Sequence, residues 1–127
     1  MLTARMVYRE RPLTRVIFDR RGRVPPSARV FSTLVDGPVI MIEDDDLPAA
    51  LQQLADRDIV SLLIEGGPTL QQAFFDADLV DRVQLVTTPH VLHQGVPGPQ
   101  FGPRYIRRNV LQLGADTLEE FDVHRPD

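Results

Sequence analysis

The residues best suited to chemistry lie in one stretch, Ser61-Leu62-Leu63-Ile64-Glu65-Gly66-Gly67-Pro68-Thr69-Leu70-Gln71-Gln72-Ala73-Phe74. An apolar strand ending at Glu65, two glycines that permit a tight turn, and a helix opening at Pro68 would turn unpaired N–H groups outward. Those amides, with the aligned peptide dipoles behind them, can hold a phosphate, and the Thr69 hydroxyl is a further donor. Glu65 is a carboxylate at the end of a buried strand, costly to desolvate unless it is paired or reaches a pocket, so ligand contact is expected there. The spaced G-x-G-x-x-G fingerprint and the Lys-bearing triphosphate loop are both missing. A turn that merely bends strand into helix is the competing reading. Leu70, Ala73, Phe74 and Ala77 form a helical stripe that suits core packing.

Other candidates are sparser. Asp19-Arg20-Arg21 closes an apolar run and puts Arg20 where a cofactor phosphate can be gripped, although a solvated surface explains it equally well. Asp78 and Asp81 read as end-of-element charges. His90, His93 and His124 lack ligand spacing with an acid, so no metal is expected. Ser27, Ser32 and Ser61 have no evident base partner. With no cysteine among 127 residues, disulfides and thiolate chemistry are impossible. All basic side chains are Arg, and they crowd the first 36 residues, which carry a net positive charge while the whole chain is at -4. A pI near 5.3, without interleaved basic and aromatic residues, argues against nucleic acid. No apolar run approaches a membrane span and no signal-peptide pattern follows Met1, so a cytoplasmic, non-membrane protein is expected.

The elements that must position these residues follow from apolar period. Arg15 to Asp19 and Pro38 to Ile42 are short β-branched runs of the kind found in sheet strands covered on both faces. A turn and one or two helical turns fit between them. Asp44, Asp45 and Asp46 offer caps to a helix over 47–57 with Leu47, Leu51 and Leu54 on one side. Ile59 to Ile64 reads as a central strand, Pro68 to Ala77 as a helix and Arg82 to Thr87 as a strand. A Gly- and Pro-rich loop spans 93–103. Tyr105 to Leu113 and Thr117 to Val123 then suit an antiparallel hairpin around Gly114-Ala115-Asp116, with a short helix from Asp116 as the alternative. The expectation is an α/β domain with a mixed, mostly parallel sheet and a C-terminal antiparallel hairpin.

Several segments together resemble the reductase domain of the bifunctional riboflavin-biosynthesis deaminase/reductase, a relative of dihydrofolate reductase. They are Leu2-Thr3-Ala4-Arg5, Arg15 to Arg21, Pro25-Pro26-Ser27-Ala28-Arg29, Ile64 to Leu70 and Leu79-Val80-Asp81. The resemblance implies a dihydrofolate-reductase-like three-layer fold over 1–127, expected as a single reductase-like domain that is N-terminally truncated, without the family's opening strand and first helix. It implies NADPH-dependent reduction of 5-amino-6-(5-phosphoribosylamino)uracil to the ribitylamino product, with Leu2, Arg5 and Glu65 on the substrate and Glu65 as the catalytic candidate. Arg20 and Gly66, Gly67, Pro68, Thr69, Leu70, Gln71, Gln72 and Ala73 would contact NADPH. A homodimer is implied too. Pro89 to Gly95 departs from the family's Pro-x-Leu-Leu-Gly-Gly turn, which would let His93 narrow the nucleotide site. The rival readings are a related reductase acting on another heteroaromatic compound and a silent remnant that binds a nucleotide or a protein partner.

Overall fold

The structure is a computed structural model that describes residues 12–33 and 37–124. The chain forms two compact units, residues 1–60 and 61–127.

In the first unit, β1 (Arg15–Phe18) and β2 (Val39–Ile42) pair in parallel, with Arg15 opposite Val39 and Phe18 opposite Ile42. The ladder extends at both ends, through Arg15 N–H to Pro38 O and Asp19 N–H to Ile42 O. Parallel pairing demands a crossover, and here it contains the single turn α1 (Arg29–Ser32). Arg15 is only 6% exposed and ties that crossover down: its guanidinium donates to Thr33 Oγ1 (2.8 Å), Thr33 O (2.7 Å) and Gly37 O (2.6 Å). Gly37 is irreplaceable on steric grounds. Its φ is +130°, and an added Cβ would lie 2.1 Å from Leu13 O.

Helix α2 (Leu47–Ala55) starts as its sequence foretells: Asp46 Oδ1 accepts the Ala49 N–H, with Pro48 in the first turn. It buries Ala50 and Leu54, which together with Ile42 are at most 2% exposed. The helix stops at a left-handed Asp58 (φ 61°), around which Ile59 N–H bonds Leu54 O and Asp58 N–H bonds Ala55 O. This is the Schellman arrangement, normally built on glycine.

In the second unit, α3 (Pro68–Asp76) ends in the same way: Asp78 has φ 58°, Leu79 N–H bonds Phe74 O and Asp78 N–H bonds Phe75 O. The two helix ends also share sequence, Leu54-Ala55-Asp56-Arg57-Asp58-Ile59-Val60 and Phe74-Phe75-Asp76-Ala77-Asp78-Leu79-Val80. One device therefore terminates both helices. Three strands follow, β3 (Arg82–Thr87), β4 (Tyr105–Leu113) and β5 (Asp116–Val123), in the order β3-β5-β4 and antiparallel throughout. The hairpin turn is Gly114-Ala115, with Gly114 at φ +66° and Leu113 paired with Asp116, so the alternative helix from Asp116 does not form. Arg108 bulges out of β4.

One expectation fails. Ile59 to Ile64 is not a strand: among the described residues no ladder pairs with it. Exposure still alternates from Ser61 to Gly67, with Leu62 and Ile64 half-buried, but Leu63 is 72% exposed and Val60 96%. An apolar run encodes a preference for extension, whereas a strand exists only where a neighbour meets its N–H and C=O groups. For the same reason parallel pairing is confined to β1 and β2, and the described ladders are predominantly antiparallel.

Candidate functional site

The turn into α3 carries the expected features with a different use of its glycines. Neither Gly66 nor Gly67 has positive φ. Gly66 is short of room, since a Cβ there would meet Leu70 Cδ2 at 3.0 Å. Gly67 caps the helix in an extended conformation open to any residue (φ -64°, ψ 163°), and its missing Cβ would face open space. Packing thus accounts for Gly66 and leaves Gly67 unexplained, as suits a backbone that a ligand approaches.

The carbonyl of Gly67 accepts the N–H groups of Leu70 (3.1 Å) and Gln71 (3.2 Å), starting α3. Pro68 has no N–H to satisfy. Among the described residues nothing in the protein bonds the N–H of Gly66, Gly67 or Thr69, and the Thr69 N–H belongs to the first turn of α3, where a helix start favours an anion. The residues present therefore fit a phosphate of the expected cofactor. Thr69 is exposed, while Leu70, Gln71 and Ala73 are half-buried. Glu65 is exposed rather than enclosed. Its water is retained because the segment leading to it joins no ladder, so desolvation no longer argues for its role.

Gln72 turns elsewhere. Its Oε1 accepts the Gln100 N–H at 2.8 Å, and its Nε2 donates to Gln100 O at 3.2 Å and to Asp76 Oδ1 at 2.8 Å. This contact links residues 28 apart, and no local pattern announces it. Beside it, Phe75 stacks on Phe101 with ring centroids 5.5 Å apart, and Phe101 meets Tyr105 and Phe121 edge-on at 5.6 and 5.4 Å. Phe74 beneath is 1% exposed.

In the first unit the carboxyl ends of the parallel strands hold Asp19 and Arg20. Asp19 is buried, and its two oxygens accept the N–H groups of Val24 and Arg23, both at 2.8 Å. These bonds, that to Val24 first, hold its carboxyl below the ordinary 3.8. Asp19 therefore shapes the turn that presents Arg20. The Arg20 guanidinium is exposed and paired with Asp45, Nε to Oδ1 3.1 Å. A phosphate at Arg20 must compete with that carboxylate. Leu2 and Arg5 lie outside the described residues. Arg20 belongs to one unit and the stretch from Glu65 to Ala73 to the other.

Comparison with solved structures gives the class, the dihydrofolate-reductase-like α/β reductase domains. A deaminase/5-amino-6-(5-phosphoribosylamino)uracil reductase from Thermotoga maritima aligns over 97% of this chain and 41% of its own, at 25% identity and a TM-score of 0.79. Acinetobacter baumannii RibD aligns over 87% of this chain and 37% of its own, at 29% identity and a TM-score of 0.69. The chain belongs to the RibD C-terminal domain family, whose description matches residues 1–118. Among curated proteins, the riboflavin biosynthesis protein RibD of Chlamydia pneumoniae is 32% identical over 120 residues, covering 72% of this chain and 32% of that protein. RibD of Aquifex aeolicus is 26% identical over 145 residues, covering 92% and 40%. The chain thus spans about a third to two fifths of these relatives. Among the described residues no helix is long and apolar enough to cross a membrane.

Proposed function

We propose that this chain reduces 5-amino-6-(5-phosphoribosylamino)uracil to its ribitylamino product with NADPH, as the reductase part of riboflavin biosynthesis. The observation that carries the reading is the match of residues 1–118 to the RibD C-terminal domain. The open, amide-lined start of α3 supports the cofactor half. When bound, NADPH supplies the hydride, so the protein's task is to align donor and acceptor carbons and set the local charge. The N–H groups of Gly66, Gly67 and Thr69 and the Thr69 hydroxyl hold a cofactor phosphate, with Arg20 as a second anion contact. Glu65 accepts the N–H groups of the pyrimidine and favours a cationic, iminium-like form of the sugar carbon. Leu2 and Arg5 are the remaining substrate contacts in this reading. A cytoplasmic homodimer completes it.

The test is Glu65→Gln. Turnover, followed as NADPH consumption, falls while NADPH affinity measured by calorimetry is unchanged; wild-type turnover in the variant discards the role of Glu65. A second reading, a catalytically silent remnant that binds a nucleotide or a protein partner, is favoured by one observation: the Arg20 and Gln72 side chains, both expected as NADPH contacts, are already engaged within the protein. NADPH binding without turnover in the wild-type protein selects it.

A further inference from the structure

Residues 88–104 form no helix or strand and leave the second unit's sheet at Thr87. Helix α3 is joined to β3 by the short turn 77–81, and Phe101 bridges Phe75 near the helix end to Phe121, which lies opposite Val83 near the start of β3. A strand that reverses direction across so short a turn would end on the side of Gly67 and Pro68. The loop returns to the helix at Gln100, which is held by Gln72, about 6 Å along the axis from Pro68 at 1.5 Å per residue. Gln72, Phe75 and Asp76 are spaced i, i+3, i+4 and share one face of α3. That face grips two consecutive loop residues. The Gln72 amide meets both the N–H and the C=O of Gln100, as a neighbouring strand would, while Phe75 stacks on Phe101. Asp76 Oδ1 accepts from Gln72 Nε2, which fixes which way the amide faces. Between Thr87 and this grip the loop carries Val91, Leu92 and Val96, exposed by 80%, 82% and 78%.

We propose that Gln72 is a positioning residue: it latches the 88–100 loop so that the loop walls the nucleotide site at the start of α3, without itself touching the nucleotide. This rests on the nucleotide site proposed above. With the latch closed, the apolar loop side chains are held beside the N-terminal turn, where they can cover a bound nucleotide. With it open, about a dozen residues are tethered only at Thr87 and the aromatic cluster.

The test is Gln72→Met, a side chain of similar length without the amide, read in two ways. Hydrogen exchange of the protein without nucleotide is followed at the Gln100 N–H, the loop amide that Gln72 holds, with β3, β4 and β5 as the internal control. NADPH affinity is measured by calorimetry. Loss of the bond from the Gln100 N–H to Gln72 Oε1 is expected to speed exchange of that amide about tenfold while the sheet is unchanged, and NADPH affinity falls about fivefold. Unchanged loop exchange with weakened NADPH binding means direct contact by Gln72 and overturns the proposal. Faster exchange with unchanged affinity means a merely structural tie and also overturns it, as does no effect on either. If the wild-type protein binds no NADPH, the nucleotide reading fails and the positioning role with it, while the exchange measurement still decides whether the latch exists.

Discussion

Gly37 and Gly67 set a glycine that the fold requires beside one that packing does not require. At Gly37 the positive φ and the 2.1 Å approach to Leu13 O leave no room for a side chain, so Gly37→Ala is expected to cost about 3 kcal/mol or more in urea unfolding. At Gly67 the backbone is ordinary and the space open. Gly67→Ala should therefore leave stability unchanged or raise it by about 0.5 kcal/mol through the unfolded chain. If phosphate rests on this turn, the new methyl group occupies its approach and NADPH affinity falls about tenfold. A variant binding NADPH as well as wild type would remove the phosphate from this turn. The Arg20 contact is tested from the opposite side. Asp45 competes for the guanidinium, so Asp45→Asn should strengthen NADPH binding about two- to fivefold at low salt, with the gain fading as salt rises. Weaker or equal binding at every salt concentration would take Arg20 out of the site.

At the scale of elements, both helices end on an aspartate in a conformation that L-residues resist. Asp58 is exposed, and Asp58→Gly should relieve about 1 kcal/mol of backbone strain and raise the melting temperature. At Asp78 the same change also removes the ion pair with Arg104, a contact that raises the guanidinium's proton affinity, so the gain there is smaller. Across the sheet, Gln84 and Asn109 donate to the two oxygens of Glu120 (2.9 and 3.1 Å) and hold its carboxyl below the ordinary 4.5. A carboxylate lowered in the native state stabilises above its unfolded value and loses that contribution as pH falls through the folded value. Stability should thus decline below about pH 4.5, and Glu120→Gln should flatten that decline in urea titrations. Much at this scale was legible in the chain. Asp46 with Pro48 announced α2, Gly67-Pro68 announced α3, and the alternation flanking Gly114 announced the hairpin. The strand over Ile59 to Ile64 was misread because pairing depends on a neighbour remote in sequence. The enclosure of Glu65 failed with it. The grip of Gln72 on Gln100 was invisible because two glutamines 28 residues apart carry no period.

For the whole molecule the open question is what meets its apolar surface. One face of the β3-β5-β4 sheet is divided by its register: Gln84, Glu120 and Asn109 form a polar row, and the next row is Val86, Leu118 and Leu111. Val86 is 58% exposed, Leu111 44%, and Leu113 beyond them 50%. An apolar row rimmed by hydrogen-bonded polar side chains has the make-up of an interface core with its border. A two-fold dimer can use such a patch on both copies at once, because an isologous contact needs only one self-complementary surface. Sedimentation at low micromolar concentration should then give about 28.6 kDa, twice the 14.3 kDa chain. Leu111→Glu tests the surface itself. The side chain is already half in water, so the fold should survive with unchanged circular dichroism. A carboxylate placed in the contact cannot be desolvated without a partner, so the dimer should dissociate to 14.3 kDa. If Leu111→Glu stays dimeric, the contact lies elsewhere, with the exposed Val60 and Leu63 as the next surface to alter; a wild-type protein that sediments as a folded monomer leaves these apolar rows without a second copy to cover them.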